Sequence, residues 1–147
     1  MQGLLAAVAA LAVLALLGSW NTDAPLLQQN ASAVAVNFMV YRSAVQTYYS
    51  ASPSAGPVVA AAVLMTPTGY RSVATWQNLR PSGGPIFVYG AGSGAALGAL
   101  VDEYGSQLGP VGLVQNGRLI SPLWGDLGVS VPGAIPNGSL AGIVQPD

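Results

Sequence analysis

Asp102 and Glu103 are the only adjacent carboxylates in this sequence, and a pair of acids can share acid and base work across a glycosidic bond. Neighbours on a helix diverge by about 100°, however, so the two cannot face one scissile bond. A solvated helix face accounts for them better. Asp126 lies in a glycine-flanked turn and could join a calcium site, but no Asp-x-Asp-x-Asp ligand series surrounds it. The order strand, glycine loop, helix over 86–104 is the setting of a dinucleotide fingerprint, yet Gly90, Gly92 and Gly94 do not complete G-x-G-x-x-G. Counted from Gly90 the last position is Ala95, which some fingerprints accept, and from Gly92 it is Leu97. The acid expected about twenty positions on is missing, because Pro110 and Val111 stand there. A structural glycine loop is the better reading.

Other chemistry is excluded by what the chain lacks. Its 147 residues hold four arginines, five carboxylates, and no cysteine, histidine or lysine. The usual zinc and transition-metal ligand sets, a Ser-His-Asp triad, a Cys-His pair, a Schiff-base lysine and a P-loop are therefore out of reach. With a formal net charge of -1 there is no basic stripe for nucleic acid. No disulfide and no lipidated cysteine can form. No cofactor or metal is implied, and a membrane, binding or scaffolding role remains. The aromatic residues Trp76, Tyr89, Trp124 and the pair Tyr48-Tyr49 could form a stacking surface. With three Trp, six Tyr and two Phe in the chain, most should instead be core, above all Trp76 and Tyr89 in strand-like stretches. Tyr49 and Trp124 are the candidates for exposed partner contacts. The sequons at Asn30 and Asn137 carry no weight.

The elements that would position these residues begin with an apolar segment. From Gly3 to Trp20 there is no charge, and Leu4 to Leu17 is entirely leucine, valine and alanine. As a helix the stretch spans roughly 27 Å, close to the ~30 Å hydrocarbon core of a bilayer. Leu4, Leu5, Leu11, Leu14, Leu16, Leu17, Val8 and Val13 supply about -2 to -5 kcal/mol of insertion tendency, and Trp20 stands where an interfacial aromatic would anchor the helix end. A retained membrane anchor over 1–20 is favoured over a cleaved signal peptide, which would need a basic n-region and a cleavage site, and over a buried core helix. The terminal amine before the span and Asp23 after it favour an N-terminus inside, weakly.

An α+β domain is expected over 21–147. A long amphipathic helix of about 26–50 carries the stripe Val34, Phe38, Tyr41, Val45 and Tyr48, with Asn37 and Arg42 mostly off it. The turn signals from Ser52 to Pro57 end it. Pro57 to Met65 accepts either a short helix or a strand. Tyr70 to Arg80, including Trp76, and Ile86 to Tyr89 are expected as strands, with a second short helix over Ala95 to Tyr104. Asn116-Gly117 between apolar-rich segments is the strongest hairpin signal, spanning Val111 to Pro122. Paired with the strands at Trp76 and Ile86, it predicts an antiparallel sheet of three to four strands within about 70–122, packed on the long helix. The tail 123–147 is expected as loops with one edge strand at Leu140 to Val144.

With the apolar start, the amphipathic helix, Trp76, Ile86-Phe87-Val88-Tyr89-Gly90, Val111-Gly112-Leu113, Asn116-Gly117-Arg118-Leu119-Ile120-Ser121-Pro122 and Ile135-Pro136-Asn137-Gly138-Ser139-Leu140, the chain resembles the PilM family of conjugative-plasmid type IV (thin) pilus proteins over nearly its whole length. The resemblance implies a single-pass bacterial inner-membrane protein with its C-terminal domain in the periplasm, part of the basal apparatus of pilus biogenesis. It carries no catalytic signature, and its partners would be other pilus assembly proteins or pilins, with no nucleic acid; the oligomeric state is open. A minor pilin-like subunit is the alternative, although no basic leader and no glutamate near the start of the apolar run support it. A small membrane-anchored hydrolase working through Asp102, Glu103 or Asp126 is a third reading, disfavoured by the composition. Residues 21–147 still carry all nine charges of the chain, so the domain is itself unusually neutral, and such a surface promotes association.

Overall fold

The computed structural model describes residues 30–146, so the anchor expected over 1–20 lies outside the described residues. Among the described residues no helix is long and apolar enough to cross a membrane. Helix α1 runs over 30–51, and Pro53 cannot continue it. Irregular chain follows, with one 3-10 turn at Ala61–Val63, so the ambiguous apolar run of 57–65 is neither a regular helix nor a strand. Then come β1 (Gln77–Leu79), β2 (Ile86–Gly90), α2 (Gly94–Tyr104), a 3-10 turn (Gly105–Leu108), β3 (Val111–Gln115), β4 (Arg118–Ser121), β5 (Gly125–Ser130) and β6 (Leu140–Val144). The α+β class is as expected.

The sheet is larger than expected and differently ordered. Its six strands are all antiparallel neighbours, in the order β1-β2-β6-β3-β4-β5. The tail is not loop with an edge strand: β6 is buried along its whole length and lies between β2 and β3. Its five nonpolar residues meet apolar side chains on both faces, the pattern of an interior strand. The hairpin β3–β4 therefore reaches β2 only through β6. No strand is expected at β5 from periodicity because it is an exposed edge, with left-handed glycines at Gly125 and Gly128 in place of a clean alternation. The hairpin itself forms as expected, with Gln115 opposite Arg118 and both turn residues at positive φ, 50° at Asn116 and 71° at Gly117.

The alternation of side chains across the sheet divides the core in two. On one face Ile86, Val88, Val111, Leu140 and Val144 join Leu97 and Leu100 of α2 and the inner side of α1. On the other, Phe87, Val114, Leu119, Ala141 and Ile143 are covered by Val131 and Ile135 from the β5–β6 connection. The buried line of α1 runs through Ala31, Ala35, Phe38, Val45 and Tyr49, while Val34 and Tyr48 are only half-buried. The expected stripe is thus centred correctly at Phe38 and Val45 but rotated at its ends. Alanines lie on the buried line because a helix comes close to a sheet over small side chains.

Three polar side chains, two of them placed off that stripe, reach into the domain. Asn37 Nδ2 donates to Arg71 O at 2.7 Å, and its Oδ1 accepts from Trp76 Nε1 at 2.6 Å, Val73 N at 3.2 Å and the Tyr70 hydroxyl at 3.2 Å. Segment 70–76 is therefore pinned by one amide and is not the strand expected there, which is confined to Gln77–Leu79. Asn78 does the same for the chain before it: its Oδ1 accepts from Val59 N and its Nδ2 donates to Val59 O and to the Tyr41 hydroxyl, each at 2.8 Å. Arg42 donates to Ile143 O through Nε and Nη2, at 3.3 and 2.9 Å, and to Leu108 O through Nη1 at 3.2 Å. Burial pulls the Arg42 pKa below its ordinary value.

Two consequences can be measured. Asn37→Ala removes the acceptor of the buried Trp76 Nε1–H, and should lower the unfolding free energy by about 2–3 kcal/mol in urea titration. Truncation after Ser139 removes Leu140, Ile143 and Val144, at about 1.5–3 kcal/mol each, against a net domain stability of about 5–15 kcal/mol. The truncated protein should show no cooperative unfolding transition by circular dichroism, whereas loss of a loop or edge strand would leave one.

Candidate docking site

The acids are not brought to a common centre. Asp102 and Glu103 are exposed on α2, as expected of a solvated face. Asp126 is exposed on β5, where its pKa is lowered by the Gly128 N–H and then by Arg118, whose Nε lies 3.2 Å from Oδ2. Among the described residues no cluster of acids could hold a metal ion. The glycine loop after β2 serves the protein's own packing. A Cβ on Gly90 would collide with the Trp76 ring, and one on Gly92 with the Leu140 side chain. Ser93 caps α2 by accepting from Ala96 N at 3.1 Å.

Of the two aromatic candidates for partner contact, one is withdrawn. Tyr49 is fully buried, with its hydroxyl donating to Gly56 O at 2.8 Å and the Arg80 guanidinium 5.5 Å from its ring centre. It belongs to the buried side of α1 because it continues the Phe38, Val45 line by one further turn. Burial accordingly raises its pKa. Trp124 is half exposed, beside Leu123 in the β4–β5 connection, and remains available to a partner. Trp76 is buried, although it lies in irregular chain just before β1 and not on the strand expected there, and Tyr89 is half-buried on β2.

A larger surface has no counterpart among the expected sites. Met39, Val40, Ser43, Ala44 and Thr47 of α1, Met65, Thr66 and Pro67 of the following segment, and Tyr104 at the end of α2 line an open groove of about 600 Å³. No charged side chain lines it, and Met65 is 84% exposed. Its origin is local: α1 buries one side against the sheet, which leaves small and apolar residues on its outer side, and segment 64–67 runs beside them. The sequence does carry a signal for it, since no charge occurs between Arg42 and Arg71. Methionine is flexible and polarisable, so a surface carrying it adapts to irregular apolar partners. Its polar groups are neutral hydroxyls, those of Ser43, Thr47, Thr66 and Tyr104, and an open, uncharged lining of this kind suits the side of another protein better than a small charged substrate.

A second cleft of about 480 Å³ lies at the C-terminal end of β2, lined by Gln77, Tyr89, Gly90 and Gly92 together with Pro136 and Asn137. It too is uncharged.

Comparison with known proteins gives these surfaces a setting. No curated protein matches the chain. A solved structure, that of PilM from Escherichia coli B7A, superposes with a TM-score of 0.59 at 21% sequence identity, covering 78% of this chain and 91% of that one, which is a likeness of fold. The PilM family description matches residues 6–141, nearly the full length, and the chain therefore belongs to the PilM family, proteins of pilus biogenesis.

Proposed function

We propose that this protein is an inner-membrane-anchored component of a type IV pilus assembly apparatus, of the thin-pilus kind used in conjugation, and that it acts by protein–protein interaction and not as an enzyme. The observation that carries the reading is the extent of the family match. It begins at residue 6, inside the apolar run of Leu4 to Leu17, so the segment suited to a membrane is part of the length the family shares. The absence of histidine, cysteine and lysine supports a role without catalysis, and the uncharged groove on α1 supports one that depends on contact. In this arrangement residues 1–20 hold the chain in the membrane, and the domain presents the groove and Trp124 to other assembly proteins or to pilins in the periplasm.

The experiment is cell fractionation with site-specific photocrosslinking from Met65 and Trp124 in pilus-expressing cells. The full-length protein should sediment with inner membranes and require detergent, and the crosslinks should capture components of the pilus apparatus. Full-length protein soluble without detergent would overturn the anchor. N-terminal processing, or recovery of the protein in sheared pili, would replace the assembly reading with that of a minor pilin, whose apolar helix and sheet are arranged in a similar order. Met65→Asp places a charge in the groove at an exposed position, where stability should change by no more than about 0.5 kcal/mol. Pilus-dependent transfer should fall sharply while the thermal midpoint stays in place.

A further inference from the structure

Two Asn-Gly dipeptides, Asn116-Gly117 in the β3–β4 turn and Asn137-Gly138 ahead of β6, meet at one end of the sheet, and all four residues are exposed. In such a pair the glycine nitrogen, with no side chain beside it, can attack the asparagine Cγ. The protein holds its two attacking nitrogens differently. Gly138 N–H donates to the backbone carbonyl of Val114 at 2.7 Å, as part of the fold's own ladder-like bonding. Gly117 N–H donates at 3.3 Å to the side chain of Asn137, a longer bond that depends on a single exposed amide. The carbonyl of Gly117 is fixed separately, by Val131 N at 2.8 Å.

We propose that Asn116 is a site of spontaneous deamidation, and that the Asn137 amide oxygen is the latch that restrains it. When the latch opens, the Gly117 nitrogen gives up its proton to solvent hydroxide and attacks Asn116 Cγ. The new C–N bond closes a five-membered succinimide as the side-chain nitrogen leaves as ammonia. Water then opens the ring. Attack at the Cγ carbonyl leaves aspartate with the chain unchanged, and attack at the backbone carbonyl leaves isoaspartate, in which the chain passes through Cγ. No oxidant or reductant is involved. Either product takes the formal net charge from -1 to -2 and sets a carboxylate two residues from Arg118, which already pairs with Asp126. Isoaspartate also adds a backbone atom to a two-residue turn, and the geometry that sets the β3–β4 register is lost with it. The latch is one-sided: Asn137 faces a glycine nitrogen held by backbone, so position 137 is spared.

The test is peptide mapping by mass spectrometry of the full-length protein aged at mildly alkaline pH, with anion exchange to follow the added charge. In the native protein, acid should appear at position 116 ahead of position 137. Asn137→Ala should speed the change at 116 about fivefold, the weight of one ordinary hydrogen bond. Asn137→Asp, which keeps an acceptor oxygen in place, should leave the rate near that of the parent. An unchanged rate in Asn137→Ala, or acid accumulating first at 137 in the parent, overturns the proposal. A comparison free of variants uses the parent protein in urea, where the latch is absent. There the rate at 116 should rise by at least the same factor, and equal native and denatured rates overturn the latch.

Discussion

The seating of α1 on the sheet is the constraint on which the rest of this domain depends. Phe38 packs edge-on to Trp76, with ring centres 5.2 Å apart at 67°, and one turn further on the Arg42 guanidinium reaches the carbonyls of Ile143 and Leu108. The half-buried Arg42 guanidinium has no carboxylate partner among the described residues, and its partial desolvation is offset by donated hydrogen bonds alone. The arrangement works because the guanidinium is a rigid fork, able to hold β6 and the 3-10 turn after α2 at once. Helix position, central strand and the α2 connection are thereby tied to one side chain.

Neutral amides do the remaining polar work. Asn37 and Asn78 each close a stretch of irregular chain against α1 or β1, satisfying backbone groups that would otherwise be buried without partners. No buried side-chain polar atom of the described residues is left without a hydrogen bond. A protein built this way needs few charges inside, and it carries few outside, so its exposed groove and its edge near Trp124 present apolar contact area with little electrostatic steering. Such surfaces favour association that is kept in place by other means, and the membrane segment proposed for this chain would do that.

Much of the fold is legible in the chain, where short-range rules decide. The Asn116-Gly117 hairpin needs left-handed backbone at both turn residues and forms where it is expected. The 3.6-residue period marks α1, and the glycine loop before α2 reads as structural because its spacing fails a nucleotide fingerprint. The candidate site is less legible. Tyr49 and Trp124 are both aromatic residues at the ends of elements, and only the rotation of α1 on the sheet buries Tyr49, while Trp124 is left half exposed in the β4–β5 connection. The groove is marked in the chain only by the absence of charge between Arg42 and Arg71, because it joins α1, segment 65–67 and α2, which no local pattern relates.

What the amino-acid sequence determined by itself is the side-chain chemistry on hand: no histidine, cysteine or lysine, a scarcity of charge, an apolar first segment and a hairpin turn. These follow from residue types and from interactions within a few positions along the chain. The tertiary structure alone decided that the glycine- and proline-rich tail supplies the central strand, that Asn37 and Arg42 turn inward, and that the sheet has six strands. Each of these rests on pairing or packing between residues far apart in the chain, such as Arg42 with Ile143 and Phe87 with Ile143. Strand order is a choice among distant partners of similar apolar character, and only the combined fit of helix, sheet and buried polar groups selects among them.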